Sequence, residues 1–269
     1  MFKIKHYRFL FGKLVAVTLI GIGQSVWAVD LNVSSFIHYE EADKRVIIGG
    51  DSTRYGLGIA GFEVMADFEN KLSVSASLGY GYHPNQRVPF SRSGRSVDFY
   101  GPVNGISYGG TLKYELWTKS DYSLVSKFSV TKREIDSPSL VGSVESSTYG
   151  TVALTGNAVN NFDTEDLLLV AGIPLGGAAF LKISGGLSNW HLKTNAKVSG
   201  TVTLGPMTST ITLPKTVNVT GQDPIFKVAI ASNNPEHNFE VELSNRSLQS
   251  KTDNNVQIRA IKLTYEFKF

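Results

Sequence analysis

Seven ionisable residues stand in the middle of alternating runs: Lys113, Glu115, Lys127, Lys182, Lys227, Glu240 and Glu242. Each has a bulky apolar residue on at least one side, as in Leu112-Lys113-Tyr114 and Phe239-Glu240-Val241. A charge spaced this way belongs to a two-sided element with one apolar and one polar face. Mixed charges on such a face can line a wet path that selects ions, or pair across an interior and rigidify it. Lys227 lies one run before Glu240 and Glu242, and Lys262 and Glu266 lie on the run after, so opposite charges fall on successive elements.

Other residue sets offer less. Arg87, Arg92 and Arg95 share the stretch 84–96, and guanidinium groups suit phosphate and carboxylate. A solvated basic loop explains them as well. None of His38, His83, His191 and His237 is followed two residues on by Ser, and no Asp-x-Asp pair occurs, so neither pattern of a hydrolytic centre is present. Asp163, Glu165 and Asp166 fit no defined calcium loop. Gly56-Leu57-Gly58-Ile59-Ala60-Gly61 matches a dinucleotide-binding string, but the run continues extended through Phe62, Val64 and Ala66 with no helix starting inside it. There is no Cys, which excludes disulfides, thiol catalysis, cysteine-based zinc sites and an N-terminal lipid-modified Cys. No metal or cofactor is expected.

The elements that must position these residues are strands. In Leu72–Tyr82 one face is apolar and aromatic and the other only Ser and Gly. Ile106, Tyr108, Leu112, Tyr114 and Leu116 alternate with Ser107, Thr111, Lys113 and Glu115. That is a period of two. The period slips near Ala60-Gly61, which reads as a β-bulge. Tight turns fall at 69–70, 119–121, 175–177 and 233–236, where Asn, Asp, Gly and Pro gather. Longer connections at about 40–52, 84–103, 136–163, 193–223 and 249–254 alternate strictly with them. The strands drawn are 30–39, 54–67, 72–83, 104–117, 122–134, 164–173, 178–191, 224–232, 237–248 and 255–269. Segments 139–156 and 193–223 also alternate; carrying few aromatics, they are read as loops, which leaves ten strands, with twelve or fourteen as alternatives.

Residues 1–28 differ from the rest. Lys3, Lys5 and Arg8 precede an apolar run from Leu14 to Gly23, and Val26-Trp27-Ala28 ends in small residues. This is the pattern of a secretory signal peptide cut after Ala28, too short to cross a bilayer. The segment holds four of the 26 Lys and Arg residues and none of the 23 Asp and Glu residues, so residues 29–269 carry 22 basic and 23 acidic side chains, a net of −1. The formal +3 therefore gives no reason to expect a nucleic-acid partner.

Alternation alone does not say which face meets lipid. The apolar face is too bulky at nearly every position to fill a narrow interior, so it is assigned to lipid. Aromatics gather near both strand ends, as interfacial girdles would: Phe68, Trp117, Tyr122, Phe180, Phe239, Phe267 and Phe269 at the turn end, and Tyr39, Tyr55, Tyr80, Tyr82, Tyr108 and Trp190 at the loop end. The last run, Ile261–Phe269, alternates and ends in Phe. This resembles the terminal strand of Gram-negative outer-membrane proteins, with Tyr265, Phe267 and Phe269 at the matching positions.

That resemblance implies export with residues 1–28 removed and recognition of the last strand by the barrel-insertion machinery. The expected fold is all-β: residues 29–269 form one closed antiparallel transmembrane β-barrel of about ten strands, with short periplasmic turns and long extracellular loops. Lipid and lipopolysaccharide would be its surroundings, with the three arginines as candidates for lipopolysaccharide phosphates or for an anion-favouring constriction. The first functional expectation is a narrow porin-like channel for small solutes, lined by the seven charged residues. The alternative is a closed barrel whose outer loops meet an external ligand or stabilise the envelope. An outer-membrane enzyme is the third. A lumen crossed by Lys–Glu pairs would favour the closed barrel.

Overall fold

A computed structural model describes residues 29–45, 52–92, 95–146, 150–204, 207–232, 234, 238–249 and 255–267. Segment 1–28, read from the sequence as a signal peptide, and the terminal Phe269 lie outside these residues. The described chain folds into ten antiparallel strands: β1 (Val29–Arg45), β2 (Ser52–Phe68), β3 (Leu72–Arg92), β4 (Arg95–Lys119), β5 (Tyr122–Ser146), β6 (Gly150–Gly176), β7 (Ala179–Leu204), β8 (Met207–Ser232), β9 (Asn238–Gln249) and β10 (Asn255–Phe267). Each pairs with its neighbours in sequence, and β1 pairs with β10 from Val33↔Phe267 to Lys44↔Val256 to close the ring. Closure pairs every backbone donor and acceptor at membrane depth and leaves no edge there.

The outward face explains why the ring sits in lipid. Ile37, Phe62 and Leu78 are each more than 60% exposed, and Leu112, Leu167, Leu187, Ile230, Leu243 and Leu263 continue the band around the barrel. So much apolar surface is stable only against hydrocarbon. Towards the hairpin ends the outward residues turn polar within two or three steps: Lys132 after Val130, Glu165 after Leu167, Asn189 after Leu187, Gln222 after Phe226 and Arg259 after Ile261. Tyr39, Tyr80, Tyr82 and Tyr108 are exposed near this border, and Tyr114, Trp117, Tyr122 and Phe239 near the other.

The turn end is built as the composition requires. Lys71 and Ser120 close their hairpins at positive φ, as do Gly176 and Gly177 at φ of 103° and 61°. The hairpin end differs from the sequence reading. Much of 84–103, 136–163 and 193–223, drawn as loops, is strand. The ladders run unbroken in direction to Arg92↔Arg95, Ser146↔Gly150 and Leu204↔Met207. Segments 139–156 and 193–223 add no strand pair. They lengthen β5–β8 to 25–27 residues, more than twice the roughly 9–11 needed to cross a bilayer. On the other side β9 and β10 have 12 and 13 residues. The barrel therefore carries a tall wall, β3 to β8, beside a low rim formed by β9, β10, β1 and β2. Bulges fall at His83/Gln86, Tyr100/Asn104, Glu115/Trp117, Ser137/Leu140 and Pro174/Gly176. None falls at Ala60-Gly61, where the ladders to β1 and β3 keep register. The apparent slip there arises because the inward residues Leu57 and Ile59 are apolar and buried.

Candidate functional site

Six of the seven charged residues singled out from sequence meet in one cavity of about 300 Å³ inside the ring. Alternation aims them: each shares strand parity with Ser, Thr or Gly on its inner face and opposes an outward apolar residue. Lys182 on β7 reaches past β8 to Glu240 on β9, Nζ to Oε2 2.5 Å. Lys227 on β8 meets Glu242 on β9 at 3.1 Å. Lys113 on β4 and Lys127 on β5 are direct cross-strand partners. Glu115 lies apart, at the turn end, paired with Lys71 at 3.2 Å.

Residues outside those seven complete the layer. Lys262 on β10 faces inward, 3.4 Å from Glu63 on β2, with its ammonium 4.8 Å from the centroid of Phe36. Glu63 also accepts from Ser75 Oγ at 2.6 Å. Arg246 on β9 pairs with Asp166 on β6 at 2.7 Å, and Asp166 accepts from Ser188 Oγ at 2.6 Å. Arg133 on β5 pairs with Glu40 on β1, strands on opposite sides of the ring, and His38 Nε2 lies 3.3 Å from the same carboxylate. Strand parity was available for Arg133 and Arg246, which stand in step with Lys127 and Glu242 on the same runs. Asp166 was hidden, because the uniform run Leu167–Val170 beside it shows no alternation.

Exposure falls along this layer. The Lys182 and Glu240 side chains near the turn end are 40% and 30% exposed, whereas Arg246 and Asp166 are 13% and 8% exposed. Apolar side chains share this layer and continue it towards the hairpin end, with Phe36, Ile59, Phe162 and Ile258 lining the same cavity as the ion pairs. Phe36, Leu57, Ile59, Val103 and Ile135 form one buried cluster, and Phe162, Trp190, Leu248 and Ile258 another. A third, Phe99, Leu140, Ala158 and Val198, fills the concave side of the wall. Close approach makes room for the rings. A Cβ on Gly61 would sit 2.6 Å from the Phe36 ring, and one on Gly221 2.5 Å from the Trp190 indole. Trp190, expected in the outer girdle, instead points inward at 6% exposure, and its Nε1 donates to Asp223 at 2.5 Å. A single strand step past Asn189 separates the two placements, and the indole takes the dry one because Gly221 leaves it a slot.

The remaining candidates scatter. Arg87 is exposed and paired with Asp98 at 2.7 Å, while Arg92 and Arg95 are backbone partners at the tip of the β3–β4 hairpin. His83 Nδ1 accepts from the Asn85 amide at 3.3 Å. His191 faces outward between Asn218 at 2.6 Å and Asp163 at 3.8 Å. His237 lies outside the described residues. Asp163 and Glu165 face outward and Asp166 inward, so the three do not converge. The Gly56–Gly61 string lies wholly within β2. Tyr265 and Phe267 end β10 against Ser35 and Val33.

A closed ring of even strand number, an apolar outer band, a polar interior and tight turns at one end define a transmembrane β-barrel of the outer-membrane type. No protein-family model matches the sequence, and no curated protein is significantly similar to it. Among solved structures, the translocator domain of the autotransporter NalP from Neisseria meningitidis aligns with a TM-score of 0.47 at 14% identity, covering 97% of this chain and 96% of that one. The outer-membrane protease OmpT from Escherichia coli aligns with a TM-score of 0.44 at 11% identity over 91% and 99%. The attachment invasion locus protein Ail of Yersinia pestis aligns with a TM-score of 0.34 at 10% identity over 88% and 98%. These are likenesses of shape and carry no activity to this chain.

Proposed function

We propose that this outer-membrane barrel is closed, and that it serves as a rigid base presenting the β3–β8 wall for contact outside the cell. The observation that carries the reading is the Arg133–Glu40 pair, whose strands face each other across the ring, with Leu57, Val103, Ile135, Trp190 and Leu248 buried beside and beyond it. A path for solutes would have to break that pair and then cross a dry layer. The porin-like channel expected from the alternating charges keeps one observation in its favour, the cavity of about 300 Å³. No catalytic role is proposed. Export with residues 1–28 removed, insertion through the strand ending in Tyr265, Phe267 and Phe269, and contact of Lys132 and Arg259 with lipopolysaccharide at the outer border belong to the same proposal.

Liposome swelling tests it. Refolded protein in liposomes should admit small sugars and amino acids no faster than protein-free liposomes do. Swelling that scales with the amount of inserted protein would replace the closed barrel with the channel.

A further inference from the structure

Among the described residues, two lysines of the cavity have no carboxylate in direct contact. Glu40, Glu63, Glu240, Glu242 and Asp166 are each held by a different Arg or Lys, and Glu266 accepts from Asn238 Nδ2 at 2.7 Å. Among the described residues, no carboxylate forms an ion pair with Lys113 or Lys127. Lys113 Nζ meets the Met65 thioether at 3.3 Å, a weak acceptor. Yet the two lysines are direct partners in the β4–β5 ladder and both line the cavity. Like charges at that spacing repel, and a buried ammonium group without a direct acceptor is costly. Hydroxyls stand beside them: Thr111 Oγ1 donates to Ser129 Oγ at 3.3 Å on the same two strands, and Ser107 and Thr131 line the same space.

We propose that Lys113 and Lys127 form a binding site for a small oxyanion of the phosphate or sulfate class, entered from the turn end of the barrel. Two ammonium groups supply the charge and the adjacent hydroxyls supply neutral donors, which matches a tetrahedral anion with several acceptor oxygens better than a bare halide. The cavity, at about 300 Å³, stands at the lower end of the range for small-molecule sites. Access follows from the exposure gradient, since the Lys182–Glu240 pair at the turn end is the wettest of the lumen pairs. Five of the carboxylates that face the cavity are each engaged by another cation and Glu266 by the Asn238 amide, so neither ammonium group has a carboxylate in direct contact. The site is independent of whether the outer end is closed, because an anion held from the turn end leaves transmembrane conductance unchanged.

The test is calorimetric titration of the refolded full barrel in detergent with inorganic phosphate, and with sulfate as competitor, at constant ionic strength. Wild type should bind saturably. Lys113→Gln and Lys127→Gln should each weaken binding at least tenfold, Lys127→Arg should keep it, and Lys119→Gln at the exposed turn should match wild type. A second measurement needs no variant: phosphate should slow acylation of Lys113 and Lys127, mapped by mass spectrometry, and leave Lys119 unaffected. Absence of saturable binding to wild type overturns the proposal, as does binding undiminished in both Gln variants or equal acylation with and without phosphate.

Discussion

The two ends of the lumen use the same kinds of side chain under different conditions. At the turn end, Lys182–Glu240 is an ion pair still touched by water; towards the hairpin end, Arg246–Asp166 is nearly dry and carries a Ser188 hydrogen bond as well. A wet pair contributes little, because water already solvates both charges and salt screens them. A dry pair is costly to assemble and more costly to break, because removing one partner strands the other in a low dielectric. The hairpin-end pairs are therefore structural closures, and the turn-end pairs are lining.

Mutations can break or sharpen that contrast. Asp166→Ala strands Arg246 and frees Ser188, and should destabilise the barrel by about 3–5 kcal/mol in denaturant unfolding in micelles. Trp190→Phe keeps an aromatic ring but loses the Nε1 donor and part of the indole, leaving the Asp223 carboxylate one hydrogen bond short; a loss of about 1–3 kcal/mol is expected in the same assay. Lys182→Ala should cost less than about 1 kcal/mol, and that small loss should vanish in high salt, whereas the Asp166→Ala loss should persist. Equal losses for Asp166→Ala and Lys182→Ala would remove the distinction between the two ends. The smallest effect belongs to the wall. Replacing residues 201–210 at the tip of β7 and β8 by a short turn should leave the melting temperature of the barrel unchanged, because the β6–β7 ladder stops at Leu154↔Gly200 and the tip pairs only within its own hairpin.

The ring itself was legible in the sequence: strand order, the turns at 69–70, 119–121 and 175–177 and the lipid-facing side followed from a period of two and from turn chemistry, while 233–236 falls almost wholly outside the described residues. The wall was not, because clear of lipid its outer face is Thr, Asn and Ser, as at Thr216, Asn218 and Thr220, and the apolar signal that marks a spanning strand disappears. The lumen charges were legible where both neighbours are apolar, as at Lys227 and Glu242. Their partners were not always so, since Arg133–Glu40 and Lys262–Glu63 join residues 93 and 199 positions apart, and one-dimensional spacing carries no trace of which strands a closed ring brings within reach. Trp190 was misplaced for a related reason: parity puts it inside, but an aromatic at a strand end reads as girdle until Gly221 is seen beneath it.

The central claim is that ion pairs and apolar clusters close the barrel, and single-molecule conductance in a planar bilayer tests it most directly. Wild type, shown to be inserted, should give no discrete current steps, and the combined substitution Glu40→Ala, Arg133→Ala and Trp190→Ala should open measurable ones. Reproducible steps from wild type, at a size unaffected by those substitutions, would contradict the account and make the charged lumen a working channel.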